Sequence, residues 1–547
     1  MPTKHHFLVF CWLLMSWMGI GMAIAQPVHR PNILWITCED MSPHLPAYGD
    51  STIITPNLSR LAREGIRYTR AFTTAGVCSS SRSALITGMY QMSIGTQHHR
   101  TTINQSVYKD IPNYDAVPPP YVKCFTEYLR ANNYYCTNNS KTDYNFGNPI
   151  TAWDENGPKA HWRNRWGKNQ PNAARPFFSV FNLMITHQSQ VWERANQPLR
   201  VNPARVKVPP YYPGNTIIRR DIARNYDNIM VMDSLVGGIL DQLEADGLSD
   251  NTIVFFFSDH GAGLPWAKQE VYDRGLQMPL LIRFPNRRSG PRLAGTVNTD
   301  LISLVDFAPT VLTLTETLIP AHLQGQPFLG STRLKPRQYV FAGRDRLGES
   351  YDLVRAVRDK RFKYLRNSQP QKPYHLPNAY REKMAMMREI LRLRAVDSLP
   401  ALTRRWFDTK PTEELFDTQA DPLELRNLAA DPAYRETLSE LRRVETSWVR
   451  DIRDLGFMPE RELYKSMWPG RQQPVTATPE MHRIRSPNGL SRVALTCATE
   501  GASMTYRRGS DGHWQLYHQP IDVQTGTTIT VAAVRYGYAT SPEVTLQ

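Results

Sequence analysis

The residues best suited to chemistry are Cys78 and Arg82, in the stretch Cys-Ser-Ser-Ser-Arg. The pattern places the cysteine at the start of a predicted helix and the guanidinium group one turn further on. The N–H groups and the positive dipole end of a helix suit an anionic reacting group, and arginine adds a permanent charge with a planar donor fork. The alternative is a buried or disulfide-bonded cysteine, the usual fate of cysteine in an exported protein.

Acidic side chains follow two apolar segments that are predicted to be strands. Glu39 and Asp40 come just after a strand predicted over Asn32–Thr37, and Asp259 comes just after one over Ile253–Phe257. Catalytic groups of open α/β sheets gather beyond the carboxyl ends of strands, where three carboxylates can surround a hard divalent cation. Each acidic residue on its own has an alternative explanation, because acidic residues at strand ends are more often helix caps than ligands.

The cysteine motif resembles the signature of a known enzyme family. Cys78-x-x-x-Arg82 followed by Leu85-Ile-Thr-Gly88 is similar to the motif of the type I sulfatases, in the alkaline phosphatase superfamily. The resemblance implies that Cys78 is oxidised after synthesis to formylglycine (3-oxoalanine) by a formylglycine-generating or anaerobic maturation enzyme. The hydrate of that aldehyde is then expected to be the nucleophile, with Arg82 among the catalytic residues.

The same resemblance implies a set of metal ligands. Sulfatases bind calcium through Asp-Asp after the first strand and Asp-Asn or Asp-His after the later one, and Glu39, Asp40, Asp259 and His260 match those positions. We therefore expect one Ca²⁺ per chain, with formylglycine at Cys78 completing its coordination. Glu39 differs from the commoner Asp by one methylene and keeps the charge. His260 is expected to bind through a ring nitrogen or to lie behind the ligands.

Further positions match groups that surround the sulfate in sulfatases. Lys141 matches the lysine of the family's Lys-x-His motif, and Lys268 matches a second sulfate-binding lysine. His187 matches the histidine on the leaving-group side, where a side chain with a pKa near neutrality can donate a proton. Taken alone, a loop histidine or a surface lysine needs no such role.

Asp143 departs from the family motif, because it stands where the histidine of Lys-x-His is expected. A carboxylate there could accept a proton or hold the hydrate by a hydrogen bond, but its reference pKa is about 3.9. Its role stays open at this point.

The elements that must position these residues follow an α/β pattern from Pro31 to about Pro320. Apolar strands alternate with amphipathic helices, which predicts a mostly parallel sheet flanked by helices, and the resemblance to sulfatases implies that it has the alkaline-phosphatase-like fold. The other elements predicted here are a helix over Phe125–Asn132, strands over Tyr134–Thr137, Phe177–Leu183 and Leu280–Phe284, and a long helix over Arg219–Asp246.

The rest of the chain predicts a smaller α+β subdomain and an accessory β-sandwich. A hairpin is expected over Leu353–Leu365, with helices at about 377–395 and 433–454. Glu414-Leu-Phe-Asp417 is similar to a Glu-Leu-Tyr-Asp segment in the C-terminal part of many sulfatases. Short strands from Ile484 onward resemble the sandwich of chitobiases, a module that docks or spaces domains. The predicted units are a catalytic domain at 31–335, a subdomain at 336–469, a linker at 470–483 and a sandwich at 484–547.

The N-terminal residues predict where in or outside the cell the protein is located. Lys4, an apolar run and Ala23-Ile-Ala25 predict a secretory signal over residues 1–25, cut after Ala25, rather than a membrane anchor. Further along, the sequence has no segment with the roughly 20 apolar residues of a membrane span. We therefore expect a periplasmic or secreted protein without stable membrane insertion. Five cysteines follow the signal, and an odd number suggests a special thiol.

The net charge of +15 over 547 residues favours an anionic partner. Nucleic acid is not expected, because the sequence has no zinc-finger spacing, no basic-region zipper and no RNP-like motif. Two basic clusters, His161–Arg165 and Gly343–Arg346, are either solvated faces or secondary contacts with a polyanionic glycan.

These features favour an exported sulfatase, a sulfuric ester hydrolase, that acts on a sulfated oligo- or polysaccharide. The stretch Thr37–Pro43 looks most like bacterial proteins that resemble heparan N-sulfatases, which implies a sulfate ester or N-sulfate of a glycosaminoglycan-like substrate. The resemblance implies that the cation, Lys141 and Lys268 hold the sulfate oxygens while His187 protonates the leaving group. Two alternatives stay open: a phosphoric or phosphonic ester hydrolase of the same superfamily, and a non-catalytic glycan-binding homologue.

Overall fold

The structure is a computed structural model that describes residues 30–102, 111–166, 175–285, 293–485, 491–509, 512–524 and 526–546. The predicted signal over residues 1–25 lies outside these ranges. Among the residues that are described, no helix combines the length and the apolar character needed to cross a bilayer.

A nine-stranded sheet organises the first part of the chain. Its strands are β1 (Asn32–Cys38), β2 (Ile66–Phe72), β3 (Tyr135–Asn139), β4 (Glu155–Asn156), β5 (Phe177–Leu183), β6 (Thr252–Ser258), β7 (Gln277–Arg283), β8 (Thr296–Asn298) and β9 (Ile302–Ser303). The order is β4-β3-β5-β1-β6-β7-β2-β8, and β9 also pairs with β2. Only β7 is antiparallel to its neighbours β6 and β2. The predicted mostly parallel sheet is therefore confirmed.

Helices cover both faces of this sheet. They are α1 (Pro56–Glu64), α2 (Cys78–Thr87), α3 (Phe125–Ala131), α4 (Ser189–Glu193), α5 (Thr216–Ala245), α6 (Asp273–Leu276) and α7 (Phe307–Leu314). Successive side chains of a strand point to opposite faces. Leu34 and Ile36 of β1 accordingly belong to the core shared with α1 and α5. Ile33 and Trp35 belong to the core shared with α2, α3 and α7.

The long helix α5 begins three residues earlier than predicted. The side chain of Asn215 accepts a hydrogen bond from the Ile218 N–H at 3.2 Å, so it caps the helix and Thr216 becomes the first helical residue. At the other end, Gly247 has a φ of 66°. This left-handed conformation favours glycine and ends the helix where predicted.

A second, antiparallel sheet follows the first. It contains β10 (Val340–Arg344), β11 (Val354–Arg358), β12 (Phe362–Asn367) and β13 (Glu413–Asp417), and the helices α8 (Ala385–Ala395), α9 (Ala401–Arg404), α10 (Arg435–Asp451) and α11 (Glu460–Met467) accompany it. The predicted hairpin is confirmed as the pair β11–β12. The helix predicted from about 377 begins only at Ala385, after a short 3-10 turn at Arg381–Lys383.

The basic cluster Gly343–Arg346 is not a surface feature, so both explanations offered for it are wrong. Arg344 and Arg346 are 5% and 1% exposed. Arg344 pairs with Glu270, and Arg346 pairs with Glu460 at 2.6 Å. The end of strand β10 therefore places these charges inside the protein.

The C-terminal residues form two small antiparallel sheets. The strands are β14 (Glu480–Arg485), β15 (Ser491–Thr496), β16 (Ser503–Arg508), β17 (Gln515–Leu516), β18 (Ile521–Val523), β19 (Ile529–Val534) and β20 (Val544–Leu546), in the orders β14-β15-β18 and β17-β16-β19-β20. The first of these strands begins four residues before Ile484. The segment after β19 contacts α3, because the Tyr536 hydroxyl donates to Glu127 at 2.6 Å. The Tyr536 ring also stacks on Phe146, with centroids 5.0 Å apart.

Candidate active site

The carboxyl ends of β1 and β6 lie side by side because these strands are parallel neighbours. Glu39 and Asp40 therefore meet Asp259, and the Asp40 N–H donates to the Asp259 Oδ1 at 3.1 Å. All three carboxylates are buried. Asp40 has a φ of 53°, a left-handed conformation that is uncommon outside glycine and clusters at functional sites.

Helix α2 begins at Cys78, with its N-terminal end against these carboxylates. The Cys78 Sγ lies 3.5 Å from the Glu39 Oε2, 3.7 Å from the Asp40 Oδ1 and 3.3 Å from the His260 Nε2. It is a free thiol, contrary to the disulfide alternative. Burial raises the pKa of Cys78, although Lys141 and Lys268 act against the rise. The unmodified thiol is therefore protonated at neutral pH and is a poor nucleophile.

Arg82 lies one turn into α2 and holds two of the carboxylates. Its Nη2 donates to the Glu39 Oε1, and its Nε donates to the Asp259 Oδ2 at 3.2 Å. Its side chain is 5% exposed. Because the fork of a guanidinium group is planar and rigid, these bonds fix the two acidic side chains relative to Cys78.

Asn182 is a site residue that the sequence analysis missed. Its Oδ1 accepts hydrogen bonds from the Arg82 Nη1 and the Thr37 Oγ1, each at 2.8 Å. Its Nδ2 donates to the Asn138 Oδ1 at 3.0 Å. The amide therefore ties β1, β5 and β3 to α2. The available signal was an amide side chain within the otherwise mostly apolar segment Phe177–Leu183.

Two lysines flank the thiol. The Lys268 Nζ lies 2.6 Å from the Asp40 Oδ2 and 3.7 Å from the Cys78 Sγ. The Lys141 Nζ donates to the Glu39 Oε2, the oxygen that also faces Cys78. Their side chains are 7% and 11% exposed. Both ammonium groups are thus in position to contact an anion bound at residue 78.

His260 presents one ring nitrogen to the carboxylates. Its Nδ1 lies 3.0 Å from the Gly261 carbonyl oxygen, which accepts from an Nδ1–H. Its Nε2 lies 2.9 Å from the Asp40 Oδ1. Burial acts to lower the pKa of His260, but Asp259 and Asp40 outweigh burial and raise it well above its usual value. A neutral His260 would direct the lone pair of Nε2 at the same point as the carboxylates.

His187 follows β5 and a short 3-10 turn. The Ser189 N–H donates to the His187 Nδ1 at 3.3 Å, so the neutral ring carries its proton on Nε2. Burial, and after it the charge of Lys268, lower the pKa of His187 to about 4. The imidazole is therefore neutral at pH 7, and the charge of a bound anion would raise this pKa toward the range needed for proton donation.

Asp143 is bound by an arginine that the sequence analysis did not single out. The Arg100 Nε and Nη2 donate to its two carboxylate oxygens at 3.2 and 3.0 Å, and the Lys141 Nζ lies 3.4 Å away. Burial acts to raise the pKa of Asp143, but Lys141 and Arg100 outweigh burial and hold it well below its usual value. Asp143 is therefore ionised with both oxygens engaged. No motif marks Arg100, which lies in a loop after α2.

The donor set fits a hard divalent cation. Two overlapping groups of side chains place one ligand atom each within 4.8 Å of one another, namely Asp40, Cys78, Asp259 and His260, and Glu39, Asp40, Cys78 and His187. Three of the six side chains in these groups are carboxylates, whose oxygens Ca²⁺ and Mg²⁺ prefer as ligands. The three carboxylates of the site are balanced by Arg82 and the two lysines, so an added divalent cation would give a net positive site suited to an anionic substrate.

The structure thus brings together every residue singled out from the sequence for catalysis or metal binding.

Comparison with known proteins identifies the family to which this chain is similar. The family model described as Sulfatase matches residues 31–317, and one described as N-sulphoglucosamine sulphohydrolase, C-terminal, matches residues 261–376. An ulvan-active sulfatase of Formosa agariphila is 42% identical, over 94% of this chain and 91% of that protein. Human N-sulphoglucosamine sulphohydrolase is 25% identical, over 80% of this chain and 92% of its own length.

Solved structures share the fold. A protein solved in complex with its substrate D-glucosamine-2-N,6-O-disulfate aligns with a TM-score of 0.55 at 17% identity, covering 78% of this chain and 98% of that one. A phosphonate monoester hydrolase of Agrobacterium radiobacter aligns with a TM-score of 0.55 at 18% identity, covering 77% and 96%. The predicted alkaline-phosphatase-like fold is confirmed. Because the family model spans more than half of the chain and a relative is 42% identical over nearly all of it, this chain belongs to the sulfatase family and is a sulfuric ester hydrolase.

Proposed function

We propose that this protein is an exported sulfatase that removes sulfate from a sulfated glycan, with formylglycine made from Cys78 and one calcium ion. The observation that carries the proposal is the position of the Cys78 Sγ. At the start of α2, this sulfur lies 3.3 to 3.7 Å from the carboxylate, imidazole and ammonium groups of four other residues: Glu39, Asp40, His260 and Lys268. Two relatives, an ulvan-active sulfatase and an N-sulphoglucosamine sulphohydrolase, support a glycan substrate.

Glu39, Asp40, Asp259 and the Nε2 of His260 would hold the cation, because their ligand atoms converge on the side of Cys78 that faces the strand ends. Once formed from Cys78, formylglycine would supply an aldehyde-hydrate nucleophile, and a bound calcium ion would supply a fixed positive charge beside it. Arg82 keeps two of these carboxylates in place through its buried hydrogen bonds.

Lys141 and Lys268 hold the sulfate oxygens as charge builds on them, in a buried site where such contacts are strong. His187 serves the leaving group. Because its Nδ1 accepts from the Ser189 N–H, the neutral ring carries its proton on Nε2. The negative charge of a bound sulfate raises the pKa of His187 from its ligand-free value, which favours proton transfer to the departing oxygen or nitrogen.

Export and domain organisation complete the proposal. The signal over residues 1–25 would be removed after Ala25, and a maturation enzyme would oxidise Cys78. The catalytic domain would span 31–335, with a subdomain at 336–469, a linker at 470–483 and a sandwich at 484–547. The separate sheets β10–β13 and β14–β20 support this division.

Mass spectrometry and turnover on the same preparations test the proposal. Protein co-expressed with a maturation enzyme should carry an aldehyde in place of the Cys78 thiol and should release sulfate, measured by ion chromatography, from sulfated oligosaccharides. Cys78→Ser should fold and be nearly inactive, because a serine hydroxyl cannot supply the second oxygen of the hydrate. Cys497→Ser is the matched control, since Cys497 is a free thiol in the C-terminal sheets, and it should keep full activity.

Three outcomes contradict the proposal. Full activity with an intact Cys78 thiol would exclude formylglycine. Faster release of phosphate or phosphonate than of sulfate, on matched esters, would favour the ester hydrolase alternative, which shares this fold. Binding of sulfated oligosaccharides without any turnover by the oxidised protein would indicate a non-catalytic glycan-binding protein.

A further inference from the structure

We propose that Arg100, positioned by Asp143, binds a second anionic group on the substrate: a carboxylate or another sulfate next to the sulfate that is removed. This inference rests on the proposed sulfatase function and deepens it, because it defines the substrate class as a glycan with two neighbouring anionic groups.

Arg100 belongs to the same site as the nucleophile position. Its backbone N–H donates to the Ser79 Oγ at 3.1 Å, and Ser79 directly follows Cys78. Arg100 has a φ of 50° and Asp143 a φ of 54°, so both residues adopt the uncommon left-handed conformation that Asp40 also shows. Such conformations persist where the surrounding structure demands them. The loop after α2 therefore carries the guanidinium group to the site by a specific backbone path.

The side chain of Arg100 lies at the mouth of the site rather than at its base. It is 29% exposed, whereas Lys141 and Lys268 are 11% and 7% exposed and lie against the carboxylates. Its Nε and Nη2 are held by Asp143. Within the described ranges, the Nη1 has no hydrogen-bond acceptor, so its N–H groups are available to a ligand. The remaining N–H groups of a partly exposed, oriented guanidinium group donate charge-assisted hydrogen bonds to carboxylate and sulfate oxygens.

Asp143 acts as the positioning residue. In place of the histidine of the Lys-x-His motif, this chain has a carboxylate with a cation on each side, Arg100 and Lys141. Lys141 is already paired with Glu39, so Arg100 and Asp143 balance each other in charge, and the partly exposed guanidinium group lies at the outer end of this row. With Asp143 in place of the histidine of the motif, Arg100 is held as a fixed cation outside the position that we expect for the sulfate to be removed.

The aromatic residues Tyr380 and Trp192 line the same mouth. The Tyr380 ring lies 6.3 Å from the His187 ring and 5.2 Å from the Trp192 ring, centroid to centroid, and is 38% exposed. Burial raises the pKa of Tyr380, while the charges of Lys268 and Arg100 act against the rise. An amphipathic ring beside His187, in a site with several cations, suits a sugar ring that carries anionic substituents.

Kinetics on three substrates with the same scissile sulfate test the inference. One carries a neighbouring uronate carboxylate, one a neighbouring sulfate, and one the alcohol obtained by reducing the carboxylate. A hydrogen-bonded charge pair of this kind is worth about 10- to 100-fold in binding. Arg100→Ala should raise KM by that factor on the substrate with the second anionic group that the wild type prefers. On the substrate with the alcohol, the increase in KM should be at least about tenfold smaller. Asp143→Asn should show the same selectivity, weakened, because it loosens Arg100 without removing it.

Arg442→Ala is the matched control, since Arg442 makes the same two-bond contact with Glu413, at 2.6 and 2.7 Å, on a surface of helix α10. It should behave as wild type. Loss confined to the uronate substrate assigns the carboxylate, and loss confined to the disulfated one assigns the second sulfate. Arg100→Lys, which keeps the charge, should retain part of the selectivity and shows whether a poorly active Arg100→Ala has merely misfolded.

An equal loss on all three substrates, or no loss on any, would overturn the inference and leave the sulfatase function standing. A wild-type enzyme that prefers the substrate with the alcohol would overturn it too. Release of no sulfate by the oxidised wild type from any substrate would instead refute the proposed function, and the inference with it.

Discussion

Lys268 and Asp40 form a buried ion pair, with the Nζ 2.6 Å from the Oδ2, and they couple the sulfate side of the site to its metal side. The loop that carries Lys268 closes directly on Asp40, because the Gly263 N–H donates to the Asp40 carbonyl oxygen at 2.9 Å. A Cβ atom at Gly263 would come within 2.9 Å of the Asp40 Cβ. Glycine at 263 is therefore needed for this close approach.

Lys268→Ala should reduce kcat by about 100- to 1000-fold, the usual cost of removing one electrostatic donor from such a site. Lys268→Arg should not restore full activity, because the larger planar fork places its donors differently. Lys410→Ala is the control, since it breaks a comparable buried pair with Asp352 at 2.7 Å. It should lower the unfolding midpoint and leave kcat largely intact. Equal kcat losses for Lys268→Ala and Lys410→Ala would show that the effect is structural.

Asp259→Asn should abolish calcium occupancy, because it removes one of three carboxylates and disturbs the bond to Arg82. Elemental analysis of the wild type is expected to report one calcium per chain, and chelation should remove activity that added calcium restores. Asp233→Asn is the matched control. Asp233 is an equally buried carboxylate that accepts from the Leu58 N–H at 2.8 Å, and its replacement should not change the metal content. Two zinc ions per chain would contradict the prediction.

His187→Ala should show a deficit that depends on the leaving group. With a sugar alcohol as the leaving group, the departing oxygen needs a proton and the loss should be large. With a nitrophenyl sulfate, little proton donation is needed and the loss should shrink. Comparison of kcat on the two substrates measures the difference. An equal loss on both would remove His187 from the acid role and assign it to positioning.

Tyr536→Phe should destabilise the protein without affecting turnover. The Tyr536 hydroxyl donates to Glu127 at 2.6 Å and accepts from the Cys124 N–H at 2.9 Å, and all three residues are buried. Loss of the hydroxyl leaves these groups without that partner, at a cost of about 1–3 kcal/mol in the free energy of unfolding. Urea unfolding measures it. An unchanged midpoint would mean that the contact between the C-terminal sheets and α3 does not contribute to stability.

The ion pair between Glu460 and Arg346 should make the protein acid-sensitive. Burial acts to raise the pKa of Glu460, but His98 and Arg346 outweigh burial and lower it to about 2. A carboxylate with a lowered folded-state pKa contributes stability that is fully present above its unfolded pKa, about 4.5, and is lost as the pH falls through 2. Unfolding midpoints of wild type and Glu460→Gln across this window check it. The variant should start lower and fall less steeply; parallel curves would contradict the assignment.

The strand-end carboxylates and the pair Cys78 and Arg82 could be predicted because they follow local patterns, whereas Lys141, His187 and Lys268 were expected only from the resemblance to sulfatases. Glu39, Asp40 and Asp259 come directly after apolar segments, and parallel neighbouring strands necessarily bring their carboxyl ends to one edge of the sheet. Cys78 and Arg82 stand four residues apart, so the helical repeat alone places them on one face. For these residues, strand and helix periodicity together with one recognisable motif were sufficient.

Only the tertiary structure shows the partners of Asp143 and the position of Arg100. These residues are 43 positions apart, and the loop between α2 and α3 has no periodicity that predicts where an arginine side chain ends. The same limit applies to Asn182, whose amide meets Arg82 only once β1, β3 and β5 are paired. It also applies to Arg344 and Arg346, which the sequence alone suggests are a basic surface cluster. In the folded protein both are buried and paired with acidic residues from distant parts of the chain. Periodicity and motifs specify local conformation, whereas pairing between distant charges depends on the packing of the whole chain.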